Sequence, residues 1–509
     1  MRNNTVLLIN PSINTKTQKK FVTDIIRATF PFSLGHLGGY LLNKGFSVKV
    51  VDDQISFLED DDLEQLISEI ENPKIIGITT LTATCARVYD LADKIKNIAP
   101  DATVVLGGIH ATTIPEECLS HKSVDVVVRG EGEITFSKLI ENIINEQDYR
   151  HINGISFCKN DEFIHNQDMP LINDLNTLPD FPYFLFESDI DKYPGFYSIQ
   201  TSRGCPYGCT FCSQRSITGR SYRYVSPERA LRDIEILIDK YGATVIRLMD
   251  DNIAANKKHL MRLLNAIIEK GLNKKVSFEA PMRGDNINEN VLDKLKEANF
   301  SFLTYGLETT SENLMKEIDK GETVKDIINA IKMTAQKGMA VGTTLIFGLP
   351  NETRKDRWNA IKTVSSLPLA SVRFNILTPY PGTPIYYVLL KKKQLLIKKD
   401  WENFSVQYMW AGDDIPYVPE GVDKYELMFS TMLANLWFYL RPSGIWKMLT
   451  QSAAGGNVIL LKKKWYFSRF LFKISRVGFY LTKRFVVVFT KMMFTQFKLL
   501  PAITLHIKD

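Results

Sequence analysis

The stretch Thr201-Ser-Arg-Gly-Cys205-Pro-Tyr-Gly-Cys209-Thr-Phe-Cys212 places three thiols within eight residues, spaced CxxxCxxC. Thiolates are the soft ligands that zinc and iron–sulfur clusters select. A structural zinc site closes its tetrahedron with a fourth Cys or His. Here the next histidine is His259, and no cysteine follows Cys212. A [4Fe-4S] cluster normally takes four cysteines, so three leave one iron open to a small molecule and to chemistry. With only six cysteines in 509 residues, three ordinary thiols would rarely fall so close together.

Outward from this stretch, six strand-like runs alternate with helix-like runs: Phe196–Ser202, Thr244–Asp250, Val276–Pro281, Phe302–Glu308, Ala340–Pro350 and Ser371–Pro379. The first helix has clear boundaries. Ser226 suits an N-cap, Pro227 the first helical position, and Leu231, Ile234, Leu237 and Tyr241 form an apolar stripe before Gly242. The CxxxCxxC spacing, with Phe211 before the last cysteine, resembles the signature of the radical S-adenosylmethionine (SAM) enzymes. That resemblance implies a partial (β/α)6 barrel over 196–410, with cofactors at the carboxyl ends of its strands, where barrel enzymes place their sites.

The same resemblance makes Cys205, Cys209 and Cys212 the ligands of a [4Fe-4S] cluster whose open iron binds SAM. The reduced cluster would cleave SAM to methionine and a 5′-deoxyadenosyl radical, with electrons from a flavodoxin or ferredoxin type of donor. Asp250 and Asp251 close the second strand, where the family's SAM-amine segment lies in a commoner Gly-Gly-Glu form. Arg283 is expected as a fork donor to the SAM carboxylate, and Glu308 at SAM's polar end or ribose.

Residues 1–150 carry five continuous apolar runs: Val6–Asn10, Ser47–Asp52, Ile75–Thr80, Thr103–Gly108 and Val124–Gly130. Helical patterns separate them, as at Leu34–Lys44 and Ala83–Ile98. Continuous rather than alternating hydrophobicity predicts a parallel sheet covered on both faces. A doubly wound, flavodoxin-like domain of this kind binds ligands at its strands' carboxyl ends. No GxGxxG follows the first strand, so a dinucleotide fingerprint is absent. The stretches Ser33-Leu-Gly-His-Leu-Gly-Gly-Tyr-Leu41, Gly107-Gly-Ile-His-Ala-Thr112 and Val128-Arg-Gly-Glu-Gly-Glu133 resemble the cobalamin-binding domain ahead of many radical SAM enzymes. The resemblance implies cobalamin contacts at Thr80, Gly107, Gly108, His110, Gly130 and Gly132. The DxHxxG motif of methyl-carrier domains is missing, since Asn10-Pro-Ser12 follows the first strand. Cobalamin would then lack a histidine axial ligand. His36 falls within a helix beside glycines, and His110 is the histidine better placed for a corrin.

Residues 151–195 lose this periodicity and, with Asn153-Gly154, Pro170, Pro179 and Pro182, predict a covering hairpin and connector. Residues 411–509 predict a mainly helical region. Leu427–Leu440 is an uncharged run too short to span a bilayer. The last 54 residues carry eleven Lys/Arg and one acid, +10 of the total +6, leaving the rest at −4. Their basic–aromatic alternation over 462–498 fits three readings: a membrane-surface segment, a helix packed on the barrel, or, least well, a nucleic-acid contact, since no RNA-binding module is visible. The N-terminus has no signal-peptide pattern and Cys85, Cys118 and Cys158 are scattered, which points to a reducing cytoplasm, peripheral at the inner membrane surface if the tail lies on lipid.

These features imply a cobalamin-dependent radical SAM methyltransferase acting on an unactivated carbon of a small-molecule or lipid-like substrate. A radical cyclase or rearrangement enzyme without methyl transfer is the alternative, and the resemblance includes the anaerobic Mg-protoporphyrin monomethyl ester cyclases. A non-catalytic corrinoid or metal-binding protein is a third reading, opposed by the missing fourth metal ligand.

Overall fold

The structure is a computed structural model and describes residues 5–13, 30–193, 197–396, 400–404, 414–441, 482–493 and 495. Seven strands build the first sheet: β1 (Thr5–Asn10), β2 (Ser47–Asp52), β3 (Ile75–Thr79), β4 (Thr103–Gly107), β5 (Val126–Val128), β6 (Ile155–Lys159) and β7 (Glu162–His165). Their order is β2-β1-β3-β4-β5-β6-β7. The first five are parallel, and the β6–β7 hairpin adds antiparallel to β5.

Alternate residues of β1 explain the continuous hydrophobic run. Leu7 and Ile9 pack with Leu63, Leu91 and Ile95 on one face. Val6 and Leu8 pack with Leu34, Leu41, Phe136 and Leu139 on the other. Each such side chain gains about 1.5–3 kcal/mol from burial, so neither face tolerates a polar residue and no alternation survives.

The second sheet joins six parallel strands in the order β8-β11-β12-β13-β14-β15. These are β8 (Ser198–Ile199), β11 (Val245–Leu248), β12 (Ser277–Met282), β13 (Phe300–Glu308), β14 (Ala340–Phe347) and β15 (Ser371–Ile376). Between the first two, a short antiparallel ribbon pairs β9 (Ser202–Arg203) with β10 (Arg223–Tyr224). Helix Pro227–Asp239 starts as its sequence dictates: Ser226 Oγ accepts from the Arg229 amide at 3.3 Å.

Six strands leave β15 as an open edge, a liability that needs covering. Helix Lys424–Leu440 lies there, and its Tyr439 hydroxyl donates to Val372 O (2.8 Å) and accepts from Val372 N (3.2 Å). The described part of the basic tail, 482–493, is helical, and its Phe485 and Phe489 rings meet Phe429 of that helix. The rest of 462–498 lies outside the described residues. Among the described residues no helix is long and apolar enough to cross a membrane.

Candidate active site

Cys205, Cys209 and Cys212 lie on the excursion between β9 and β10, so the ribbon closes the base of a thiol-bearing loop. Gly204 makes that closure possible. Its φ is +89°, and a Cβ there would stand 2.0 Å from Ser221 O on the returning arm. Asp251 grips both ends of the thiol stretch. One oxygen accepts from the Gly204 amide at 3.0 Å, and the carboxylate also bonds the Gln214 side chain. Farther round, Thr210 N donates to Ile318 O and Thr210 O accepts from Ile385 N.

All three thiols are free. Burial pushes each of them up, Cys212 to about 11, while Lys320 and Arg283 act in the opposite sense on Cys205 and Cys209. Three neutral thiols on one loop with two cations beside them fit a metal centre, because metal binding converts buried thiols to thiolate ligands.

Around the thiols the strand ends supply charge. Asp250 is buried, its Oδ1 accepting from the Thr201 and Ser202 hydroxyls while Oδ2 has no partner. Burial, outweighing those hydrogen bonds, raises its carboxyl to about 6. Glu308 is re-aimed by a local break in the β13 ladder: the register shifts between Gly306 and Glu308, and Glu308 itself takes φ +58°. A Cβ on Gly306 would lie 2.3 Å from Glu308 Oε1 and 2.7 Å from Lys320 Nζ, so a larger residue there would push this pair from its present place. Glu308 Oε1 accepts from Lys320 Nζ at 3.1 Å and Oε2 from Thr344 at 3.3 Å.

Arg283 is placed differently from its sequence expectation. Its fork is occupied by Asp285 (3.1 and 3.0 Å), its third nitrogen by Lys320 O (2.7 Å), and Tyr207 of the thiol loop stacks on it at 3.5 Å. In this structure it braces the loop, and Lys320 is the cation beside Glu308. Sequence reading passed over Lys320 and Tyr207: neither carries a periodic or spacing signal, and only the fold brings Lys320 under the thiols.

On the first domain, the β-strand ends open onto a cavity of about 490 Å³. Gly107, Gly108, Gly130 and Gly132 line it, with His36 and Phe32 from helix Phe32–Asn43. Its opposite wall is Gln200, Arg203, Ser213, Gln214 and Ile217, the segments flanking the thiols. A Cβ at Gly130 would meet nothing within 4 Å, and one at Gly107 only Val128 O at 3.8 Å, so backbone borders open space. One polar atom of the lining is buried without a partner, His36 Nε2; Thr80, expected there from the sequence, is fully buried behind the wall, its backbone bonded to Gly107 and His110. Burial, then Arg203 and Arg229, hold the His36 imidazole well below its usual value, leaving the ring neutral. An apolar slot bordered by glycine backbone, with one orphaned ring nitrogen, fits a large flat ligand such as a corrin.

His110 does not line this cavity. Its ring is fully buried, with Nδ1 3.2 Å from Thr82 Oγ1 and Nε2 3.2 Å from Glu117, edge-on to Trp401. The cavity instead receives His36.

A family model described as the radical SAM superfamily matches residues 199–364, and one described as a B12 binding domain matches 27–140. An uncharacterized methyltransferase of Pyrococcus horikoshii, PH0819, is 32% identical over 74% of this chain and 81% of its own. The anaerobic magnesium-protoporphyrin IX monomethyl ester cyclase of a Synechocystis species is 24% identical over 88% of each chain. Among solved structures, the radical SAM methyltransferase TsrM of Kitasatospora setae, with cobalamin and a [4Fe-4S] cluster bound, superposes with a TM-score of 0.68 at 17% identity, covering 87% of this chain and 90% of that one.

Proposed function

Because this chain belongs to the radical SAM enzymes that carry a cobalamin-binding domain, we propose that it transfers a methyl group to an unactivated carbon of a small molecule. One observation carries the reading: the cavity at the ends of β3, β4 and β5 has Ser213 and Gln214, immediately after Cys212, in its opposite wall. A cofactor in the cavity and one on the thiol loop would therefore adjoin each other. When bound, the cofactors supply a hydrogen-abstracting radical and a transferable methyl group.

The chain's own residues bind and orient. Cys205, Cys209 and Cys212 would hold the cluster, with Asp251 and Arg283 fixing the shape of their loop. Asp250, through its unpartnered Oδ2, and Glu308 with Lys320 would take the polar groups of SAM. Gly107, Gly108, Gly130, Gly132 and His36 would receive cobalamin, with Thr80 and His110 shaping the loop behind them. With both cofactors in place, the cavity walls from the two domains would shield the reacting centre from water. A protein electron donor is required by the family's chemistry.

The cyclase reading is favoured by the match over 88% of each chain to the Synechocystis protein, and one experiment separates the two. The loaded protein is reduced anaerobically with methyl-labelled SAM alone. A methyltransferase moves label onto bound cobalamin and releases an equal amount of S-adenosylhomocysteine. Deoxyadenosine without S-adenosylhomocysteine overturns the proposal in favour of the cyclase.

A further inference from the structure

Four charged side chains are buried where the cavity meets the thiol loop. Arg203 and Arg223 stand opposite each other in the β9–β10 ribbon, and both reach the Glu131–Gly132–Glu133 turn that rims the cavity. Arg223 grips Glu131 with two nitrogens (2.8 and 3.0 Å). Arg203 divides its fork between Glu131 (3.1 Å) and Glu133 (2.7 Å). The side chains are 7–11% exposed, and the two acids balance the two bases.

We infer that this ion cluster is the gauge that sets the distance between the two cofactors, acting as a positioning device rather than as adhesive between domains. The inference rests on the two-cofactor reading above. A buried ion pair adds little net stability over an apolar contact, but it is strict about geometry, because a displaced partner leaves an uncompensated buried charge. The guanidinium fork makes the match directional as well.

The path from one cofactor to the other is short and stiff. Gly130 and Gly132 border the cavity, and Glu131 and Glu133 flank Gly132. Arg203 precedes Gly204, whose amide Asp251 holds and where an added Cβ would strike Ser221 O, and Cys205 follows at once. An apolar interface would let the rim slide over the loop; four charges in register do not.

Arg203→Lys keeps the charge and removes the fork, and Glu133→Gln keeps the shape and removes the charge. Glu426→Gln, which breaks a buried pair with Arg357 on the helices beside β14 and β15, serves as the control for lost stability alone. Each protein is loaded with iron, sulfide and cobalamin, its metals are counted, and the magnetic coupling between reduced cluster and Co(II) is read by electron paramagnetic resonance. Wild type and Glu426→Gln should give the same resolved dipolar splitting. Arg203→Lys and Glu133→Gln should retain iron and cobalt yet lose that splitting to a broad distribution. Unchanged splitting in both rim variants overturns the gauge and leaves the two-cofactor reading standing. A wild type that binds iron but no cobalt overturns both. If one rim variant fails to fold, the other decides.

Discussion

Gly204→Ala tests how the thiol loop is held, and its cost follows from the structure. A Cβ would sit 2.0 Å from Ser221 O, where real Cβ atoms essentially never come below 3.0 Å. The two arms must therefore part by about 1 Å, a displacement that active sites do not absorb. The left-handed φ of +89° costs an L-residue about 1–2 kcal/mol, and losing the Asp251–amide hydrogen bond costs about 1.5–3 kcal/mol. Together these reach about 3–5 kcal/mol, a hundredfold or more against the native loop. Gly219→Ala is the control for backbone strain alone in the same loop: its φ of +60° and ψ of −129° disfavour an L-residue by about 1–3 kcal/mol, but nothing lies within 4 Å of the added Cβ, so no arm is forced aside. Both variants and wild type are reconstituted anaerobically with iron and sulfide, freed of unbound metal, and assayed for iron. Wild type and Gly219→Ala should hold about four irons per chain and Gly204→Ala less than about one. A Gly204→Ala protein with wild-type iron content would refute the account of the loop's closure.

His36→Ala should weaken cobalamin binding about five- to tenfold, the worth of one buried hydrogen bond, and leave iron content unchanged; titration of the apo-protein followed by gel filtration measures both, and equal affinity would remove His36 from the site. Glu352 is buried and bonded to the Gly348 amide and Arg357, and burial, outweighing those partners, raises its carboxyl to about 7. The folded protein therefore binds this proton more tightly than the unfolded chain, so its contribution falls as pH rises from about 4.5 through about 7. Denaturation midpoints at pH 5 and 8 should differ less in Glu352→Gln than in wild type, and a larger difference would contradict the sign. Tyr439→Phe strands Val372 N–H and C=O at the open sheet edge and should lower stability by about 1–3 kcal/mol; an unchanged urea midpoint would show that the hydroxyl does not cap the edge.

Some of this protein is legible without its fold. The strand ranges of the first domain, the six strands of the barrel and the Ser226 cap depend on neighbours within a few residues, where burial on both faces and capping chemistry leave a direct imprint. Three thiols in eight residues are likewise a local fact. What escaped was long-range. Arg283 reads as a free fork because Asp285 and Tyr207 claim it only after folding. His110 reads as a loop histidine until Thr82, Glu117 and Trp401, from as far as residue 401, enclose its ring.

Sequence by itself determined the secondary elements, the thiol spacing and the family they belong to, because each is written in contiguous residues. Tertiary structure alone decided that His36 faces the cavity, that Lys320 stands beside Glu308, and that Glu131 and Glu133 meet Arg203 and Arg223. Those pairings join residues up to 92 positions apart, and a charge carries no mark of its partner until burial removes the water that would otherwise satisfy it.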